Sequence, residues 1–540
     1  MHAIAAATLL LTLTHPGAPS DSVPLYDNLG RHHHPVTTSE PLAQRYFDQG
    51  VRLYYAFNHA EAIRAFREGA RRDPSCAMCW WGVALALGPN INMPMEPEAE
   101  LEALQAIGEA RARAEGVSPR ERALIRAAAA RYGEPVGADR AARDSAYARA
   151  MGQVASAYPD DPEAATLYAE ALMTLRPWSY WTRSGEPRPG TEEILLHLER
   201  VLERNPNHPG ACHFFIHAVE AVDPARAVPC AERLAGLMPG AGHLVHMPGH
   251  IYIRVGRYMD AIHANEHAVH ADETYIQDQR PGFGVYTAGY YPHNYDFMAF
   301  AAAMAGRSGQ AVDAAERVAG LIPDEFMDAP GMTFLQHFAV RPLQMYLRFG
   351  LWDEILAAPA PAAHRLHARG LWHYARGRAL AATGELDEAR AQLARLRTIV
   401  QDPALEGLAL DFNSSRHVLE IAEHVLAGVL DAAEGRHDSA VRHLRVAADL
   451  EDDLTYGEPP EWSVPVRHDL GAVLLAAGRP AEAERTFRED LERFPENGWS
   501  LAGLARALRL QDRGEEAREV EARFGAAWVH ADLAITASVF

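Results

Sequence analysis

Lysine is absent from this chain of 540 residues, so all 51 basic side chains are arginine, set against 72 Asp and Glu. The resulting net charge of -21 at pH 7 argues against nucleic acid or an anionic membrane surface as the main partner. After the first residues no run of about 18 apolar positions occurs, so no integral membrane segment is expected once an N-terminal signal is removed. The motifs G-x-S-x-G, G-x-x-x-x-G-K-[ST] and G-x-G-x-x-G are missing from any strand-to-helix setting. That removes a hydrolase elbow, a P-loop and a Rossmann fingerprint, and with them a nucleotide cofactor. Alternating strand patterns are also missing.

Cysteine is scarce, at four residues. Its reading depends on compartment. The start of the chain, MHAIAAATLLLTLTHPGAPSDS, is apolar from Ala3 to Leu13 and then turns to Pro16, Gly17 and Ala18. This has the h-region and small-residue boundary of a secretory signal peptide over residues 1–20, although the basic n-region is missing. The expected location is therefore exported, periplasmic or extracellular, with the cytoplasm as the alternative. In an oxidising compartment four cysteines allow three pairings. Proximity in sequence favours Cys76–Cys79 and Cys212–Cys230.

What is abundant is helical punctuation. In Tyr46–Pro74, YFDQGVRLYYAFNHAEAIRAFREGARRDP, the positions Tyr46, Leu53, Ala62, Phe66 and Pro74 recur at helix-turn-helix spacing, with Gly50 as a small residue between helices. A turn glycine followed by a helical alanine returns at Gly256/Ala261, Gly309/Ala314, Gly384/Ala389, Gly435/Ala440 and Gly478/Ala483. The pattern resembles the tetratricopeptide repeat (TPR) superfamily, and the N-terminal stretch resembles bacterial exported TPR proteins of unassigned activity. The resemblance implies an all-α solenoid of about eleven helical hairpins, whose concave groove takes a protein or peptide partner. The expected organisation is a polar leader over 21–42, a His-rich TPR-like array over 43–275, a Tyr/Gly-rich insertion with degenerate repeats over 276–350, and a C-terminal array over 351–540.

Three loops interrupt the repeats. Gly88–Pro97 is rich in Pro, Asn and Met; 177–190 carries Trp178, Tyr180 and Trp181; 279–293 carries Tyr290 and Tyr291. Segments this aromatic are expected to fold against a groove rather than to dangle in solvent. Trp178, Tyr290 and Tyr291 are therefore candidate groove aromatics.

Histidine is the chemical signal. Ten of the 27 histidines fall between His208 and His293. His213/His217 and His246/His250 are two H-x-x-x-H pairs, each a single turn apart on a helix face. On neighbouring helices they would point four imidazoles at one place, with His293 folding back as a fifth. His243 and Glu220 are candidate outer partners, and His263, His267 and His270 form a second candidate face. Imidazole binds copper, zinc, iron and nickel; Met93, Met95, Met247 and Met259 nearby tilt the choice to copper, with zinc next. Neither pair is followed by the Glu of a zinc protease. Pro248 must kink its helix or open a new one.

Three readings follow: a binding protein with a His-rich metal site, a copper- or zinc-dependent enzyme, and a metal-independent assembly scaffold. The sequence leaves open whether any reaction is catalysed.

Overall fold

The protein is described here by a computed structural model covering residues 23–540. The signal peptide expected over 1–20 lies outside the described residues. The described chain is a succession of α-helices. Among the described residues, β-structure is confined to two isolated bridges, Trp181–Pro187 and Ala409–Ser414. No described helix is long and apolar enough to cross a membrane.

The helices divide into two compact units. The N-terminal unit comprises residues 23–251 with His267–Thr287, and the C-terminal unit Tyr252–Glu266 with Ala288–Phe540.

In the N-terminal unit the helices Pro41–Tyr55 and His59–Arg72 form the first hairpin. Its turn is closed by Asn58, whose side chain accepts from the Glu61 backbone N–H. Ala77–Leu87 then packs on the second helix. Phe66 is clamped between two glycines of its neighbours: a Cβ at Gly50 or Gly82 would lie 2.4 or 2.5 Å from the Phe66 ring. Those three positions are spaced by sixteen residues at each step.

The C-terminal unit repeats the device. Gly471, Phe487 and Gly503 have the same spacing, and a Cβ at either glycine would approach the Phe487 ring to 2.3 Å. The aromatic fills the gap that the missing side chains leave, which is why small and aromatic residues alternate at fixed period in both units. One apolar core runs through this unit from Val340 to Val520.

The polar leader is ordered along the first hairpin. Tyr46 donates its hydroxyl hydrogen bond to the Val23 carbonyl (2.9 Å), and Arg52 Nε donates to the His32 carbonyl (2.7 Å). Thr37 is held through its backbone N–H and hydroxyl by the Glu121 carboxylate. The same carboxylate completes the capping box of the helix Pro119–Ala129.

Candidate metal centre

The centre is assembled on the helix Pro209–Val219. His208 caps it, accepting from the Ala211 N–H at Nδ1 (3.0 Å), and Pro209 occupies the first position, where no N–H is needed. With Nδ1 an acceptor, His208 carries its proton on Nε2 and donates to Glu163 Oε1 (3.1 Å). His32 Nε2, from the leader, lies 2.8 Å from the same oxygen, and the Tyr55 hydroxyl donates to Glu163 Oε2. Burial would push the Glu163 carboxyl up, but His208 and His32 outweigh it and hold it well below the usual carboxylate range. Tyr55 and His208 donate to the two oxygens of this carboxylate and His32 lies against it, which ties the leader to the array. We expect Glu163→Ala to strand those donors at a cost of about 3 kcal/mol or more. It should also make residues 23–40 the first site of limited proteolysis. Unchanged protection of the leader would contradict that role.

One helical turn further on, the accounting comes out differently. His213 Nδ1 donates to the Tyr55 carbonyl (2.7 Å). Tyr55 ends its helix, so that oxygen has no intrahelical partner. Close approach is possible because a Cβ at Gly210 would sit 2.5 Å from the Tyr55 ring. His217 Nδ1 faces Glu220 Oε1 at 3.1 Å. An ionised carboxylate only accepts, so His217 also carries its proton on Nδ1. Both rings therefore turn the lone pair of Nε2 toward the other, at 3.1 Å. His243 brings its Nε2 to 3.2 Å from that of His213. Two ligands on a tetrahedral ion with metal–nitrogen bonds of about 2.0–2.1 Å are about 3.3 Å apart. The His213–His217 and His213–His243 pairs already have nearly that spacing.

A proton fills such a gap poorly. Burial, reinforced by the neighbouring His217 ring, pushes His213 well below the ordinary imidazole range. Burial followed by the rings of His213 and His246 does the same to His243. Burial lowers His217 too, against the pull of Glu220.

The second pair straddles a break. The helix Gly242–His246 ends at Met247, and Pro248 opens the next segment, Pro248–Arg254, because proline cannot supply the amide that would continue the first. The His250 N–H instead reaches the Met247 carbonyl (3.2 Å). This break still presents His246 and His250 to each other, with their Nε2 atoms 2.9 Å apart. His250 Nδ1 lies 3.0 Å from Glu220 Oε2. Glu220 thus stands between the two sets, one oxygen toward His217 and the other toward His250. Burial raises its carboxyl, but His250 and His217 together hold it below the usual range. All five histidines and Glu220 are at most 3% exposed.

Aromatic rings wall the cluster. Phe57 stands 4.5 Å from His213 and is stacked 5.2 Å from His243. Trp178 meets His217 edge-on at 4.9 Å and donates its indole N–H to the Asn92 side chain (3.1 Å). The loops 88–97 and 177–190 therefore meet beside the histidines.

His293, Tyr290 and Tyr291 belong to the C-terminal unit and are half-buried there, with His293 edge-on to Phe297. His263, His267 and His270 are exposed on the helix Tyr258–Gln279. The Met95 sulfur accepts from Arg140 Nη1 (3.4 Å). Cys76 and Cys79 are joined by an S–S bond. The expected Cys212–Cys230 bond is not formed: both are free, buried thiols. A hydrogen bond to Cys230 and then burial raise the Cys212 thiol, which keeps that thiol protonated.

Residues 474–523 match the tetratricopeptide repeat family model. That C-terminal segment carries tetratricopeptide-repeat sequence. Among solved structures this chain is similar to human IFIT1, solved as a dimer with m7Gppp-AAAA, at 11% identity over 91% of each chain with a TM-score of 0.31. It is also similar to the TPR domain of P58(IPK), at 12% identity over 88% of this chain and 99% of that one, with a TM-score of 0.21. No curated protein matches the chain in sequence.

From the sequence, His213, His217, His246, His250 and His293 are expected on one ion, with His243 and Glu220 in an outer role. In the folded chain His243 joins His213 and His217, while the Nε2 atoms of His246 and His250 face each other. Tyr55, Phe57 and the His32/Glu163/His208 cluster were missed. Tyr55 is 158 residues from His213, and no local pattern encodes such a contact.

Proposed function

We propose that this TPR protein is an exported metal-binding protein whose N-terminal unit holds a copper or zinc ion on His213, His217 and His243. The observation that carries the reading is the 3.1 Å approach of the His213 and His217 Nε2 atoms, while their Nδ1 atoms are committed to a carbonyl and a carboxylate. In the neutral protein two lone pairs would oppose each other; a cation between them turns that repulsion into two bonds. Outer partners on Nδ1 are what metal-binding histidines use to fix tautomer and ring orientation. Thiolate is absent from the group, which suits borderline ions such as copper and zinc. Three imidazoles leave a fourth position on a tetrahedral ion for water or a small ligand. The helical-hairpin array around the centre is, on this reading, also a surface for a protein or peptide partner. The Cys76–Cys79 bond favours an oxidising compartment.

Metal analysis tests this directly. Purified protein exposed to copper or zinc and then desalted should retain stoichiometric metal, and a His213→Ala/His217→Ala/His243→Ala variant with wild-type circular dichroism should lose it. Folded wild-type protein without stoichiometric metal would end the proposal. A folded triple variant that binds as tightly as wild type would show the ligands to be misassigned.

A further inference from the structure

We propose that His246 and His250 form a second ion centre beside the first, so that the N-terminal unit takes a pair of copper(I) ions linked through Glu220. The inference rests on the metal reading above. Three observations support it. The Nε2 atoms of His246 and His250 approach to 2.9 Å, close to the 3.1 Å between those of His213 and His217. One carboxylate addresses both sets through Nδ1, at 3.1 Å to His217 and 3.0 Å to His250, so each Nε2 is turned away from Glu220 and toward its own partner. The two sets are also in contact: the His217 and His250 ring centres are 5.5 Å apart, and those of His243 and His246 are 5.9 Å apart.

Charge selects the ion. Two dications in this pocket would set four positive charges against the single negative charge of Glu220, an excess of three in a site at most 3% exposed. Such repulsion is severe at low dielectric. Two copper(I) ions leave an excess of one, and imidazole is a suitable donor for copper. A dication pair would need a bridging anion such as hydroxide.

The test is an anaerobic titration of the full chain with copper(I) against a colorimetric chelator. Wild type should take two equivalents, and His246→Ala/His250→Ala should take one. His250→Gln, which keeps a polar side chain in place, should also take one and serves if the double variant does not fold. One equivalent in wild type would overturn the second centre while leaving the first intact. No binding at all would overturn the metal reading itself. Two equivalents in either folded variant would overturn the assignment to these residues.

Discussion

Replacing Glu220 with leucine should weaken metal binding by about 10–100-fold, the range found when outer partners of metal-binding histidines are lost. The same change should cost the metal-free protein only about 1–3 kcal/mol. The asymmetry comes from tautomers. Glu220 holds the proton of His217 on Nδ1 and faces Nδ1 of His250, which keeps both Nε2 lone pairs available. Without the carboxylate each ring can move its proton to Nε2 and donate it to the neighbouring histidine, His213 or His246. That relieves the metal-free pocket while blocking the atoms that would bind an ion. Glu220→Gln, which retains one accepting oxygen, should fall between leucine and wild type. Paired measurements decide the matter: urea unfolding in chelator for stability, and competition titration for affinity. A leucine variant that keeps wild-type affinity would remove Glu220 from the centre.

Acid should destabilise the metal-free protein from about pH 6.5 downward, the unfolded pKa of histidine. The sign follows from the folded state. His213, His217 and His243 are all lowered, chiefly by burial. Above pH 6.5 neither folded nor unfolded rings are protonated, and they add no pH dependence. Below it the unfolded chain takes up protons that the native rings refuse, so stability falls. Each ring can contribute up to about 1.4 kcal/mol per pH unit, so three give a ceiling of about 4 kcal/mol per unit. Glu220, lowered by its histidines, adds a further loss at more acid pH, where its carboxylate is finally protonated. His337 and His367 in the C-terminal unit are also lowered by burial and act in the same direction. The informative quantity is therefore the difference between wild type and the His213/His217/His243 triple alanine variant. Melting temperatures from pH 7.5 to 5 in chelator should fall more steeply for wild type. Parallel curves would contradict the assignment of this acid sensitivity to the cluster.

Both expectations depend on contacts that a linear pattern shows only in part. Repeat period is local information. Gly50, Phe66 and Gly82, and again Gly471, Phe487 and Gly503, declare a helical hairpin because each helix must leave room for the same ring. The four-residue steps of His213/His217 and His246/His250 are local too, since a helix returns to the same face after one turn. Pro248 marked in advance the place where the second helix breaks.

Which imidazoles meet is not local. A helix face can be read from spacing, but its rotation toward a neighbour depends on packing around turns whose lengths vary by a residue. That rotation set His243 beside His213 and turned His246 toward His250. The Nδ1 partners that fix the tautomers come from still further away. The Tyr55 carbonyl is exposed to bonding because a helix ends there, and Gly210 admits it. The sequence by itself determined a helical-repeat chain with paired histidines on its helices. Tertiary structure alone decided that they form a buried cluster of facing ring nitrogens, because only packing brings a helix terminus, a carboxylate and five imidazoles to one place.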